Sequence, residues 1–312
     1  MLGRKNSVRR NALALLLTLP WLVMSLVRIL SLDYFWPLIP VVAFTPQMLV
    51  TFLLPVLIAA VFRARFTVYL LLGLAFVLVS LLLPRAIGND QPAAEGRVVK
   101  IFSANLLAGA AQPGPLLAAI EREDPDIIAL QEATPDNFAA IRSAGVLEDR
   151  PYFSGVAEFG TRGYITISRW PLKVIPGSGL RGGNWPEMRV VGTGMIFRNI
   201  HPPPPLKIDN TPRWRQALSE IPASRGNRVI AGDFNATLDH RDFRAVLGRG
   251  YRDAGDQTGN GFNWTWVVTR TGRLVIDHVL VPPGVDVQSF RVIDLPGSDH
   301  NALAVRLRLP AP

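Results

Sequence analysis

The sequence predicts a mixed α/β domain, a sandwich of mixed sheets covered by helices, carried behind three transmembrane helices. Three observations predict it. The first 84 of the 312 residues are far more apolar than the rest. From residue 97 onward, short β-branched and aromatic runs alternate with helix-like ones. Several of these runs end in acids, amides or imidazoles, chief among them Gly232-Asp233-Phe234-Asn235 after Val229-Ile230-Ala231.

The apolar part comes first. Residues 11–27, 34–62 and 66–84 carry no charge, and each is near or above the roughly 17–25 residues that cross a bilayer as a helix. Spans are expected near 11–30, 40–62 and 66–84. The first lacks a convincing small-residue cleavage site and is followed by two more apolar stretches, unlike a signal peptide. Pro40, Pro46 and Pro55 kink the second or shorten it to a re-entrant piece. Arg4, Lys5, Arg9 and Arg10 precede the first span, and Arg63 and Arg65 separate the second from the third. The positive-inside rule puts these basic ends in the cytoplasm. A multi-pass cell-membrane protein with an extracytoplasmic C-terminal domain is expected, organised as anchor 1–84, linker 85–96 and domain 97–312.

The net charge of +9 suggests nucleic acid at first sight. Residues 1–84, however, hold seven of the 33 Lys/Arg and one of the 24 acids, leaving 26 against 23 in the remainder, a net +3. Most of the basic excess therefore orients the anchor. The chain has no cysteine, which excludes disulfides and thiolate metal sites.

Residues 85–96 have no periodicity and read as a linker. Strands are expected at 98–103, 126–130, 164–167, 173–175, 189–198, 228–231, 274–281, 287–293 and 302–309, from their β-branched and aromatic content. Helices are expected at 113–122, 135–142 and 212–221, each opening with proline.

Candidate chemistry sits at the ends of these elements. Asn105 follows the first strand; taken alone it reads as a loop polar group. Glu132 ends a buried strand, where a carboxylate needs a metal ion or an arginine. Asp233 and Asn235 are two apart, so extended backbone sends both to one side; the alternative is an Asx turn before a helix. Asp277 is an acid inside the apolar run Val275–Val281 and calls for a distant partner, for which His300 is the candidate. Alternation sends His278 to the opposite face, as a packed or surface imidazole. His201 precedes the prolines 202–205, whose extended exit would hold it rigidly; the alternative is an incidental histidine at a strand end. His240 reads as a surface residue. Arg213, with Gln216 on one helix face, and Arg162 are either phosphate contacts or solvated side chains.

In order along the chain, Asn105, Gln131-Glu132, Ser168-Arg169-Trp170-Pro171-Leu172, Asn199-Ile200-His201, Gly232-Asp233-Phe234-Asn235, Thr265-Trp266, Ile276-Asp277-His278 and Ser298-Asp299-His300 resemble the endonuclease/exonuclease/phosphatase superfamily over about residues 97–310. The resemblance implies a four-layered αββα sandwich and a phosphoesterase dependent on Mg²⁺ or Mn²⁺. By position, it implies that Asn105, Glu132 and Asp299 hold metal and that Asp233 positions the nucleophile. Asn235 would hydrogen-bond a phosphate oxygen, and His201 would stabilise the crowded phosphorus centre or protonate the leaving group. His300, oriented by Asp277, would act as base or support the phosphate. The anchor resembles a membrane-bound bacterial group that includes teicoplanin-resistance proteins, implying a lipid bilayer as partner and a lipid-linked pyrophosphate as substrate. The near-neutral domain charge and the His-Pro-Pro-Pro-Pro run disfavour nucleic acid as substrate.

Overall fold

The computed structural model describes residues 2–267, 269 and 272–311, with backbone alone for residues 2–6. The chain forms two compact units, Met1–Pro84 with Asp239–Arg241, and Arg85–Leu238 with Asp242–Pro312.

The first unit is helical: α1 (Leu2–Leu17), α2 (Leu19–Ile29), α3 (Leu38–Val42), α4 (Thr45–Val50), α5 (Leu53–Val61) and α6 (Arg65–Leu82). The expected three spans are not found among the described residues. One helix, Arg65–Ile87, is long and apolar enough to cross a membrane. A second exists only if Ser7–Leu17 and Leu19–Ile29 count as one span, and these are bent by 67°. The bend falls where Pro20 enters the first turn of α2 and withholds a backbone donor from α1. The expected 40–62 span is instead divided into α3, α4 and α5, with Pro40, Pro46 and Pro55 in the three pieces. The side chains of Arg4 and Lys5, part of the basic cluster, lie outside the described residues. Within this unit Asp239 pairs with Arg28 at 2.6 Å, Asp33 accepts the Arg241 backbone N–H, and the Arg241 guanidinium covers the Tyr34 ring. His240, expected on the surface, is buried beside them.

The second unit follows a short turn of helix, α7 (Pro84–Ile87). Its elements run β1 (Val98–Asn105), α8 (Pro113–Glu123), β2 (Ile127–Gln131), α9 (Pro135–Ser143), α10 (Val146–Asp149), β3 (Tyr152–Val156), β4 (Tyr164–Ser168), β5 (Leu172–Val174), β6 (Met188–Val190) and β7 (Met195–Ile200). Then come α11 (Thr211–Glu220), β8 (Asn227–Asp233), α12 (Arg241–Leu247), β9 (Arg252–Asp253), α13 (Ala254–Gln257), β10 (Trp266–Val267), β11 (Arg273–Leu274), β12 (Asp277–Val281), β13 (Asp286–Ile293) and β14 (Ala302–Arg308).

Two six-stranded mixed sheets result, β13-β14-β1-β2-β4-β3 and β5-β6-β7-β8-β12-β9, with β10-β11 as a separate ribbon. Each large sheet has one central parallel pair, β1 with β2 and β7 with β8. Their inner faces share one apolar core, including Val99, Ile101, Ile127, Ala129, Phe197, Val229, Ala231, Val279 and Val281. The outer face of the first sheet packs Phe102, Ile128, Leu130 and Ile167 on Leu116 and Ile120 of α8. On the outer face of the second, His278 of β12 meets Phe243 of α12, and the Trp214 indole of α11 donates to Phe234 O. The order helix, sheet, sheet, helix follows from strands that bury both faces.

Two expected strands are each two. The 189–198 run is broken between β6 and β7, where Gly192 and Gly194 take left-handed conformations. The 274–281 run is split between β11 and β12. The edge strand β3 went unpredicted because its residues are exposed or half-exposed and do not alternate. Residues 85–96 are tied to the second unit by Asn89 N–H to Gln257 O, Gln91 to Gln257 O and to Val287 N–H, and Gly96 N–H to Leu309 O.

Candidate active site

Strand alternation builds the site. On β1, β2, β7, β8 and β12 the side chains facing the shared core are apolar along most of the strand and turn polar at one end. The series read Val99-Ile101-Ser103-Asn105, Ile127-Ala129-Gln131, Phe197-Asn199-His201, Val229-Ala231-Asp233 and, running the other way, Val281-Val279-Asp277. Side chains two apart share a face. The site is thus the polar continuation of the inter-sheet core.

Asp233 is its hub. Its Oδ1 accepts the Asn235 backbone N–H at 2.7 Å. Its Oδ2 lies 3.0 Å from Asn105 Nδ2, 3.4 Å from Asn235 Nδ2, 3.5 Å from His201 Nε2 and 3.7 Å from His300 Nε2. Burial raises its carboxyl pKa; the His300 and His201 charges oppose the rise, and Asp277, directly opposite in the ladder, adds to it. Gly232 permits this placement. A Cβ there would sit 2.1 Å from Ile200 O on β7, and its φ of 142° is one that side-chain-bearing residues avoid.

Glu132 completes the other wall. Its backbone is left-handed, φ 53°, an uncommon state for a residue with a side chain. The following α9 starts at once: Thr134 and Asn137 form a reciprocal capping box. Glu132 Oε2 accepts Ala108 N–H at 2.7 Å, and Oε1 lies 3.3 Å from Asn105 Nδ2 and 3.5 Å from His201 Nε2. Asn105 therefore turns its amide nitrogen, not its oxygen, to the two carboxylates; its Oδ1 accepts Leu107 N–H.

His300 Nδ1 lies 2.9 Å from Asp277 Oδ2, the distant partner that the lone acid in an apolar run called for. Burial disfavours the charged imidazole, but Asp277 and then Asp233 outweigh it and raise the His300 pKa to about 10. Asp299 Oδ2 accepts the Trp266 indole N–H at 2.9 Å, while its buried Oδ1 has no hydrogen-bond partner and lies 3.9 Å from His300 Nε2. Asn235, also left-handed at φ 48°, spends its amide on Pro202 O and Asp233.

The structure thus gathers Asn105, Glu132, His201, Asp233, Asn235, Asp277, Asp299 and His300. Arg162 and Arg213 are not in this contact set among the described residues: Arg162 is exposed and pairs with Glu158, and Arg213 is exposed on α11. Sequence reasoning gave no role to Thr265, Trp266 or Ser298. Thr265 Oγ1 accepts the backbone N–H of both Ile276 and Asp277, and Ser298 Oγ donates to Asn105 O while accepting His300 N–H. Their signal was membership of the resembling motifs Thr265-Trp266 and Ser298-Asp299-His300, which assigned them no task.

One ligand atom from each of Asp233, Asp277 and His300 falls within 4.8 Å of the others. With the carboxylates of Glu132 and Asp299 beside them, the donor set is mostly anionic oxygen, which suits a hard divalent cation. The buried Asp299 Oδ1, which no hydrogen bond occupies, and the buried Asp233 carboxylate are oxygen donors that fit such a cation.

A two-sheet sandwich with an acid, amide and imidazole cluster at one end of its shared core defines a class of hydrolytic α/β proteins. The chain belongs to the Endonuclease/Exonuclease/phosphatase family, whose model matches residues 102–300. Its fold is similar to that of an AP endonuclease from Archaeoglobus fulgidus, with TM-score 0.55 and 16% identity, covering 66% of this chain and 98% of that one. A 3′-5′ exonuclease from Neisseria meningitidis gives TM-score 0.54 and 19% identity, covering 68% and 100%. TDP2 from D. rerio, complexed with single-strand DNA product, gives 0.50 and 18%, covering 67% and 98%. At these identities the likeness is one of fold. No curated protein matches the chain in sequence.

Proposed function

We infer that the chain is a divalent-metal-dependent phosphoesterase whose centre is Asp233. The observation that carries this reading is the convergence of His201 Nε2 and His300 Nε2 on Asp233 Oδ2, at 3.5 and 3.7 Å, between the carboxylates of Glu132 and Asp299. Phosphoryl transfer depends chiefly on positioning and on neutralising charge. Glu132 and Asp299 are the groups that would hold Mg²⁺ or Mn²⁺, which when bound supplies Lewis-acid polarisation of a phosphate oxygen; Asn105, whose Oδ1 is taken by Leu107 N–H, instead steadies the Glu132 and Asp233 carboxylates through Nδ2. Asp233 orients the attacking water by accepting its proton. Asn235 would donate to a phosphate oxygen with the Nδ2 hydrogen that now makes the longer, 3.4 Å contact to Asp233 Oδ2, keeping the other on Pro202 O. His201 donates to the phosphate or the leaving oxygen. Asp277 fixes the His300 ring by Nδ1 and leaves Nε2 toward the reacting centre, as proton carrier or positive charge.

For substrate, the reading is a lipid-linked or other envelope phosphate, cleaved outside the cytoplasm by a membrane-anchored enzyme of the teicoplanin-resistance-like group. Three features support it. The same chain carries the apolar helix Arg65–Ile87, and Arg63 and Arg65 at its start mark the cytoplasmic end. The chain after the anchor, residues 85–312, is nearly neutral, at +3. Loops leaving the site strands expose apolar side chains at Leu107, Leu206 and Ile208. The alternative, an anchored nuclease, is favoured by the DNA product bound to the D. rerio relative in fold.

The test offers the purified full chain, in detergent with Mg²⁺, a polyprenyl pyrophosphate and a supercoiled plasmid side by side. Phosphate release from the lipid with intact plasmid supports the first substrate. Nicking without phosphate release promotes the nuclease. No turnover of either, or turnover that survives chelation, rejects the metal-dependent phosphoesterase. A reporter fused at the C-terminus that is active only in the cytoplasm rejects the extracytoplasmic placement.

A further inference from the structure

Two amides beneath the site have no part in the chemistry above. Asn199 is 1% exposed, and Gln131 is fully buried. Asn199 belongs to β7 in the second sheet, yet its side-chain hydrogen bonds all go to the first sheet. Nδ2 donates to Leu130 O of β2 and to Ile165 O of β4, each at 3.1 Å. Oδ1 accepts from Gln131 Nε2 at 2.7 Å. The orientation of the amide is fixed by these partners, since a flipped Asn199 would turn its oxygen against two carbonyl oxygens. Gln131 Nε2 is further shared with Ala129 O at 3.3 Å and Ser103 Oγ at 3.4 Å.

Each end of this bridge is one or two residues from the site. Gln131 directly precedes Glu132, whose backbone then turns left-handed. His201 is two residues beyond Asn199 on the same strand face. Asn199 is also in register with Ala231 on β8, two residues before Asp233. Glu132 and Asp233 belong to different sheets, and His201 Nε2 sits 3.5 Å from each. Their spacing is therefore set by how one sheet lies on the other.

The apolar core presses the sheets together but does little to fix their slide, because hydrophobic attraction is non-directional. Hydrogen bonds weaken steeply off line and do fix it. Within the site, Asn105 Nδ2 already joins the sheets through Asp233; just below it, one buried amide with three partners on the opposing sheet adds the directional contact that lies outside the chemistry.

We propose that Asn199, braced by Gln131, is a positioning residue that sets the register between the sheets and with it the spacing of Glu132, His201 and Asp233. The proposal rests on the phosphoesterase reading for its catalytic readout, and metal binding supplies a second one. Asn199→Leu removes the three bonds and keeps the branched shape of the side chain, at a somewhat larger volume. Turnover of bis(p-nitrophenyl) phosphate and Mn²⁺ binding by calorimetry are compared with the unsubstituted chain, below the melting temperature of both. We expect kcat to fall roughly 10²-fold with KM nearly unchanged, as a displacement of about 1 Å produces. Mn²⁺ affinity falls roughly tenfold, as when outer-shell partners are lost.

A variant that is merely less stable, with kcat and Mn²⁺ affinity per folded molecule within twofold of the parent, overturns the proposal. Should Asn199→Leu not fold, Gln131→Met decides: a fall of roughly tenfold in Mn²⁺ affinity supports the brace, and an unchanged affinity overturns it. If the parent chain turns over no phosphoester, the phosphoesterase reading fails by itself, and the brace is still judged on Mn²⁺ affinity.

Discussion

Asp277 Oδ2 lies 2.9 Å from Nδ1 of His300, joining the end of β12 to the loop before β14 and leaving Nε2 toward Asp233. Thr265 holds the Asp277 end through its two backbone N–H contacts, and Ser298 holds the His300 end. Asp277→Asn keeps an acceptor of the same shape but removes the charge. We expect kcat to fall roughly 10²–10⁴-fold, the range for a misdirected acid–base group. His300→Ala should cost a similar factor. The double variant should be little worse than either single one, because residues acting as a unit are non-additive. Steady-state hydrolysis checks this; losses that multiply would show that the two side chains act separately.

Metal should stabilise the fold as well as activate it. A ligand that binds only the folded chain adds about 2.7 kcal/mol at a hundred times its Kd. Thermal unfolding in chelator, then in excess Mn²⁺, should show the corresponding rise in melting temperature. Glu132→Gln and Asp299→Asn should each shrink that rise without unfolding the chain, since Asp299 already has an unpartnered oxygen. A full metal-induced rise in both variants would remove them as ligands.

Much of the site was legible because strand alternation is a sequence property. Asp233 and Asp277 each continue a face of apolar residues two apart, and Asp277 announced a missing partner by interrupting Val275–Val281. The Asn105 amide orientation was not legible, because it depends on Leu107 N–H and on carboxylates 27 and 128 residues away. Thr265 and Ser298 work through backbone contacts that leave no periodic trace. In the anchor the span count failed, while the kinking or shortening expected of prolines 40, 46 and 55 is found. Hydropathy counts apolar residues, whereas a span also needs an unbroken helix; prolines 40, 46 and 55 sit in three short helices instead. His240 was misjudged because polar neighbours suggest exposure, while Asp239 and Arg241 here are held by Arg28 and Asp33.

His278, on the outer face behind Asp277, gives a pH prediction free of catalysis. Its Nδ1 faces Asp253 Oδ2 and its Nε2 faces Ala236 O, each at 2.8 Å. Two acceptors require both nitrogens to donate, hence an imidazolium. Burial opposes this charge, but Asp253 prevails and the pKa is raised above its ordinary 6.5. A folded-state pKa above the unfolded value means that the stabilisation is complete below about pH 6.5 and is lost as pH rises through the folded value. Denaturant unfolding in chelator should therefore show the stability difference between the parent and His278→Gln shrinking above about pH 6.5. A difference that stays flat or grows with pH would contradict the charged form.

The strongest stability prediction lies on the outer side of β7. Arg198, with its side chain 2% exposed, donates to Trp185 O at 2.8 Å and to Ser178 O at 3.0 Å, and faces Glu187 at 3.3 Å. Glu187 is shared with Arg228 at 2.7 Å. Burial lowers the Arg198 pKa, with Glu187 opposing, so the carboxylate is what keeps the guanidinium tolerable there. Replacing one member of a buried pair leaves the other charge uncompensated and costs about 3–5 kcal/mol. Glu187→Leu should lose about that much in denaturant unfolding, since it strands two arginines. Arg198→Met should lose less, because Glu187 keeps Arg228. The double variant should be more stable than the sum of the single losses predicts, as apolar replacements of a whole pair often are. Strict additivity would mean that Glu187 and Arg198 stabilise the strand independently.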